Sequence, residues 1–215
     1  MNLAVMLKQL SEGLIVSVEI FLLTLLFSLP LGLLVSFGRM SKNTIIRGLV
    51  KFYISIMRGT PLMLQLIVVY FAPYYVFGKN INGFRFPAVI IAFSINYAAY
   101  FAEIYRGGIE SMPVGQYEAA EVLGFNRLQT FFRIIFPQVI KRILPSVTNE
   151  TITLVKDTSL AFVLAEVEMF TMAKQIAAKQ SSIMPLMVAG VFYFVFNAVV
   201  AMIMEGFEKK LSYYR

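Results

Sequence analysis

The sequence contains no cysteine and no histidine, and only 14% of its 215 residues are charged. Without cysteine there are no disulfides and no thiolate metal sites. Without histidine the chain lacks the commonest general base, zinc ligand and proton-relay group. The shortage of charge is the most restrictive of these absences. A soluble domain carries about 25% charged residues, whereas 59% of this chain is hydrophobic. A water-soluble domain of this length keeps too much surface to hide that apolar content. The 20 phenylalanines and 11 tyrosines exclude a disordered chain. What remains is an integral membrane protein. Its net charge of +7 is read through position, because basic residues beside membrane spans report topology; no nucleic-acid partner is expected.

Three apolar stretches, 14–37, 86–105 and 185–206, are each near the ~20 residues that cross ~30 Å of hydrocarbon as a helix. The first is too long for the apolar region of a signal peptide and lacks a small-x-small cleavage site, so it is expected to stay as an anchor. A fourth stretch is interrupted by Arg58-Gly59-Thr60-Pro61. Proline removes a backbone donor and breaks the helix, so the span is placed at 60–77. That break is read as a turn at the membrane boundary rather than a transporter's broken helix lining an ion site.

The segment 145–169 carries Glu150, Lys156, Asp157, Glu166 and Glu168, and hydropathy alone leaves it ambiguous. Charge decides. Basic residues gather at Arg39, Lys42, Arg47, Lys51 and Arg58, at Arg106, Arg127, Arg133, Lys141 and Arg142, and in a tail with Lys209, Lys210 and Arg215. Cytoplasmic loops attract such residues. All three groups lie inside only if 145–169 also crosses and the N-terminus is outside. Lys8, Lys79, Arg85, Lys174 and Lys179 then lie outside. The expected fold is all-α: a polytopic membrane protein of five transmembrane helices, N-terminus outside and C-terminus inside, forming a single domain over 1–215 with its core at 14–207.

At 100° per residue, Asn149, Glu150, Thr153, Lys156 and Asp157 fall within an arc of about 120°. Ionisable groups inside a span cost roughly 2.5–3.5 kcal/mol each and face protein or water. Two readings stand side by side. One is a Lys–Asp/Glu pair holding the bundle together, the other the wall of a polar passage.

Between the third span and this polar one lies a stretch of about 40 residues, against the usual connection of about 4–6. Pro113 marks a helix start, and Gly124 a helix end after 115–123. Asn126 and Gln129 have the spacing of a capping box opening a second helix over 127–135, until Pro137 bends the chain. The loop, 107–142, is therefore expected to hold two short helices on the cytoplasmic side. Its Phe125, Phe131 and Phe132 would also suit an amphipathic helix lying on lipid.

The loop reads Glu118-Ala119-Ala120, three residues, Gly124, nine residues, then Ile134-x-Phe136-Pro137. It resembles the EAA motif of ATP-binding-cassette (ABC) importer permeases, departing only at Phe136, where the family has leucine. Arg58-Gly59-Thr60-Pro61-Leu62-x-x-Gln65-Leu66 is similar to a segment of the polar amino-acid permeases in that family, as are the run from Asn96 to Ile109 and Lys156-Asp157-Thr158-Ser159-Leu160. The resemblance spans nearly the whole chain.

It implies the type I importer permease fold and a set of partners: a second permease copy, identical or homologous, a cytoplasmic ABC ATPase dimer, and an extracytoplasmic binding protein that delivers a polar amino acid. Glu118, Ala119, Ala120 and Gly124 are then the ATPase-coupling residues. Asn96, Glu150, Thr153, Lys156 and Asp157 are the candidates for the substrate pathway, with Lys156 opposite the substrate carboxylate. The chain has no G-x-x-x-x-G-K-[ST] phosphate loop and no G-x-S-x-G, H-E-x-x-H or cysteine pair. No catalysis, metal site or cofactor is expected of it, and ATP belongs to the partner. A gradient-driven transporter or channel is the first rival reading, and a membrane scaffold docking a cytoplasmic protein is the second. Neither explains the long loop with its EAA spacing.

Overall fold

Asn2 accepts a hydrogen bond from the Ala4 amide at 3.3 Å and so opens the first helix. In the computed structural model, which describes residues 2–211, that helix, α1, runs Leu3–Arg39. It is about 55 Å long at ~1.5 Å per residue, more than the hydrocarbon thickness, so the expected span 14–37 is only its apolar part. Asn43 caps α2, Thr44–Gly59, by accepting from the Ile45 and Ile46 amides. Then comes α3, Leu62–Phe77, bent 113° from α2, and α4, Arg85–Glu110.

Pro113 precedes α5, Val114–Val122, and Gly124 makes the reversal after it with φ +79°, a backbone conformation that costs glycine little. Asn126 and Gln129 form the expected capping box for α6, Arg127–Gln129. The helix does not stop at Pro137. α6 widens into a π turn, Thr130–Ile135, and runs on as α7, Phe136–Asp157. Proline has no N–H and its ring crowds the carbonyl four residues back. The π turn moves the backbone bonding to i→i−5, as in Phe136 N–H to Phe131 O, and relieves that conflict. The second half of the expected loop is thus the root of the polar helix.

The segment 145–169 is not one continuous helix. α7 ends at Asp157, a 3-10 turn covers Thr158–Leu164, and Ala165 reverses the chain at φ 54°. Thr158 and Ser159 donate to the carbonyls three residues back, at 2.8 Å each, which favours the tighter winding. Glu168 then caps α8, Met169–Gln180, and α9 is Met184–Leu211. Arg215, counted in the basic tail, lies outside the described residues.

The fold is all-helical, with no strand among the described residues. α1, α4 and α9 are long and apolar enough to span, and α2 with α3, bent 113° at the break, passes the same test only as a pair. α7 does not reach that apolar threshold; its place as a fifth crossing rests on the charge argument alone.

Lipid tails are as apolar as leucine, so membrane helices associate through close approach of small residues. α1 buries Gly13, Ser17, Thr24, Ser28, Gly32 and Ser36 on one face, and α4 buries Ala88, Ala92, Ala98, Ala99 and Ala102. A Cβ at Gly32 would stand 2.8 Å from Phe101 Cβ. At the far ends of these two helices Glu103 bridges Arg39 at 3.5 Å and Arg106 at 2.6 Å, and Arg106 also holds Glu110. The opposite end of the bundle is tied by Glu168, fully buried, which accepts from the Phe170 and Thr171 amides and from the Tyr193 hydroxyl of α9.

Candidate functional site: a polar cavity at a broken helix

The break between α2 and α3 follows from three residues. Gly59 is a weak helix former, Pro61 restricts the residue before it to extended backbone, and Thr60 takes that conformation at φ −124° and ψ 150°. Breaking a helix frees carbonyls that need donors wherever water is scarce. Here they have them. Thr60 Oγ1 donates to Ile56 O at 2.8 Å. Gln65 Nε2 donates to Met57 O and to Thr60 Oγ1 at 3.0 and 2.9 Å. Asn96 Nδ2 donates to Met57 O and to Gln65 Oε1, both at 2.9 Å. Tyr53 adds a hydroxyl bond to Ile95 O.

Asn96 stands near the middle of α4. The break therefore lies level with the middle of α4, where Asn96 and Gln65 satisfy its carbonyls.

Against the break opens a cavity of about 400 Å³, walled by Thr60, Pro61 and Leu62, by Asn96, Tyr97 and Tyr100 of α4, and by Glu150, Thr153, Asp157 and Leu160. Four of the five pathway candidates meet here. Glu150 and Asp157 bring carboxylates, and Asp157 accepts a 2.7 Å bond from the Tyr97 hydroxyl. Thr153 spends its hydroxyl hydrogen on Asn149 O at 3.0 Å. Asn96 is committed to the break through its amide group, so it braces the wall. Lys156 is the exception. It does not line the cavity, it is exposed on the outer face of α7, and among the described residues it makes no ion pair with Glu150 or Asp157 within 4.0 Å. The bundle-holding pair weighed from sequence is not formed within the chain.

Two further groups complete the cavity's electrostatics. The guanidinium of Arg58 lies 5.3 Å from the centre of the Tyr100 ring, at the rim. The N-terminus of α3 opens into the same space, with Pro61 at the cap and no side chain capping it. The first amides of a helix have no intrahelical acceptor and carry a partial positive charge. The site thus has an acidic wall and a weakly positive floor. Gln65, Tyr97 and Tyr100 were not singled out as site residues; the signal for them was the polar and hydroxylated side chains beside Asn96 and after Pro61 in otherwise apolar helices.

The second functional element is the α5 loop. Glu118 and Ala119 are exposed, whereas Ala120 is 1% exposed and turns inward, so only one of the two alanines is on the outer surface. Val122 and Leu123, 87% and 72% exposed, add an apolar tip. Gln138 of α7 donates to Gln116 of α5 at 3.2 Å, and the Phe125 amide closes the turn on Ala120 O at 3.0 Å. Desolvation raises the Tyr117 phenol above its ordinary value, so it stays neutral. Phe131 packs on Phe37 of α1, on Phe132 and on Phe136, which uses its ring inside the protein rather than on lipid.

A family model described as "binding-protein-dependent transport system inner membrane component" matches residues 28–213. The chain is 34% identical over 201 residues to a putative glutamine transport system permease protein of Rickettsia conorii, covering 93% of this chain and 91% of the relative. It is 34% identical to the L-cystine transport system permease protein of Bacillus subtilis, covering 95% and 87%, and 35% identical to the arginine transport system permease protein of the same organism, covering 94% and 91%. A crystal structure of an amino acid ABC transporter with histidines superposes with a TM-score of 0.85 at 31% identity, covering 98% of this chain and 99% of that one.

Proposed function

This chain belongs to the family of binding-protein-dependent transport system inner membrane components, multi-pass proteins of the cytoplasmic membrane, and from that premise we propose that it is the permease subunit of an ATP-driven importer for a polar amino acid. The observation that carries the reading is the cavity at the broken helix, which joins two carboxylates to an uncapped helix N-terminus. An amino acid has the complementary ends. Its α-carboxylate fits the α3 amides, the arrangement transporters build from discontinuous helices, and its ammonium fits Asp157 or Glu150. The role first given to Lys156 passes to the α3 N-terminus and Arg58.

One α-ammonium satisfies one carboxylate. A second carboxylate in the same cavity favours a substrate with a cationic side chain, and the arginine permease and the transporter with histidines are relatives of that kind. The partners are those the family carries: a cytoplasmic ATPase dimer gripping α5 at Glu118 and Ala119, a second permease copy, and an extracytoplasmic binding protein. ATP is bound by the ATPase. Its closure would push α5, and the unbroken helical run from Arg127 to Asp157 would carry that push to the cavity as one step of alternating access.

The test is uptake by the assembled importer in vesicles with arginine, glutamine and cystine supplied in turn. Basic substrate is expected to be taken up in an ATP-dependent way. Asp157→Asn should weaken apparent affinity for it by about 2 kcal/mol or more, about thirtyfold. Unchanged uptake in both Asp157→Asn and Glu150→Gln would remove the cavity from the transport path, and uptake that ignores ATP would favour the gradient-driven rival.

A further inference from the structure

A groove of about 940 Å³, more than twice the volume of the polar cavity, lies between the end of α1 and the α5 loop. Phe37, Ile109 and Phe125 form its apolar walls, and Phe131, packed on Phe37, closes its back. Tyr117, Glu121 and Arg127 stand at its edge. The apolar run of α1 ends at Phe37, and Arg39 and Lys42 follow it, so the groove lies at a membrane boundary. It is also continuous with lipid-facing surface. At 100° per residue, Leu22, Leu26, Leu34 and Phe37 share an arc of about 120° on α1, and all four are exposed. A hydrocarbon chain lying along that stripe reaches Phe37 and the groove behind it.

The edge carries one charge of each sign. Glu121 and Arg127 are exposed, and among the described residues neither makes an ion pair within 4.0 Å. A free amino acid matches two opposite charges but fills little of a groove near the top of the ~300–1,000 Å³ range of small-ligand sites. A phospholipid fills both parts. We propose that the groove holds an aminophospholipid of the ethanolamine type. Its acyl chain enters along Phe37, its phosphate meets the Arg127 guanidinium, and its primary ammonium donates to the Glu121 carboxylate. A phosphatidylglycerol head group leaves Glu121 facing like charge, and choline has no N–H to donate. Tyr117 and Glu121 lie about 160° around α5 from Ala119, so lipid holds one flank of α5 while the other stays open to a protein partner. The lipid then sets how firmly α5 rests against α1, and coupling strength follows the aminophospholipid content of the membrane. That consequence rests on the functional reading above; occupancy of the groove does not.

The test places the complete importer in phosphatidylcholine vesicles with a small fraction of one photoactivatable probe lipid. The reactive group is on the acyl chain, the head group is ethanolamine, glycerol or choline, and labelled peptides are read by mass spectrometry. The ethanolamine probe is expected to label segment 117–131 about fivefold more than either other probe. Labelling around Leu26, in the lipid-facing stripe, should ignore the head group. Glu121→Lys should turn the preference at 117–131 toward the glycerol probe, and Arg127→Glu should cut labelling by the ethanolamine and glycerol probes alike. Equal labelling by all three probes, or a preference that Glu121→Lys leaves unchanged, overturns the head-group clamp. No labelling of 117–131 overturns the groove as a lipid site, as does displacement of the probe by free arginine, which would hand the groove to a soluble zwitterion. Substrate-stimulated ATPase activity should be higher in vesicles containing phosphatidylethanolamine than in those without it; equal stimulation overturns the lipid's control of α5. Because labelling needs no transport, failure to take up amino acids would sink the functional reading and leave the lipid site standing.

Discussion

Gly32 and Asn96 are two residues whose side chains, or lack of one, the bundle uses narrowly. Gly32 lets α1 and α4 approach so closely that a Cβ would stand 2.8 Å from Phe101 Cβ and 3.1 Å from Ala98 O. Neither neighbour is a flexible tip that can swing away. Gly32→Leu is therefore expected to cost about 1–3 kcal/mol through overpacking, read as a lowered thermal unfolding midpoint in detergent. Gly190→Leu on α9, where a Cβ meets nothing within 4 Å, should leave that midpoint unchanged. Asn96 illustrates the limit of sequence at this scale. A polar amide in an apolar helix announces that something must satisfy it, but not whether that is a ligand or a carbonyl. The answer, Met57 O and Gln65 Oε1, depends on a neighbouring helix being broken at the same height. Lys156 shows the complementary limit. On a helical wheel it shares an arc of about 120° with Glu150, yet the two stand at opposite edges of that arc. An arc so wide reaches both the chain's own cavity and its outer surface.

At the scale of elements the capping box at Asn126 and Gln129, the helix stop at Gly124 and the break at Thr60-Pro61 were all legible, because each is a local rule with a local residue signature. The π turn was not. Pro137 signals trouble for an α-helix, and a helix end there is the simplest outcome, but the chain instead takes one wider turn, Thr130–Ile135, and stays helical. Phe131 stacks on Phe136 at 5.5 Å across it. The wider turn sets the angle at which α5 hangs from α7. Deleting Phe132, which is 55% exposed, removes the extra residue and rotates everything before it by about 100° relative to α7. Membrane insertion should survive, and substrate-stimulated ATPase activity of the complete importer should fall to its basal level. Pro137→Ala, which removes the reason for the wide turn but not the residue count, should retain more of the stimulation than the deletion does.

For the whole molecule the decisive feature is continuity between the α5 loop and the cavity. From Arg127 to Asp157 the chain is helical throughout, about 46 Å at ~1.5 Å per residue. Its flank is fixed to α9 by Thr148 donating to Glu208 at 2.5 Å. The neighbouring α4 is held to α1 by the Arg39–Glu103–Arg106 network. A force on α5 therefore reaches Glu150 and Asp157 rather than dissipating in a hinge, provided that something grips α5. α5 exposes two acids, Glu118 and Glu121, and the one beside Ala119 is Glu118, with Val122 and Leu123 at the tip. An acid facing a basic or polar groove contributes to partner choice chiefly through repulsion of the wrong sign, so reversing it should do more than neutralising it. Glu118→Lys is expected to abolish copurification of the ATPase while the permease still inserts and keeps its unfolding midpoint; Glu118→Gln should weaken copurification without abolishing it. If Glu118→Lys copurifies with the ATPase and drives uptake as the native chain does, α5 is not the grip, and the lever from Arg127 to Asp157 has no hand on its cytoplasmic end.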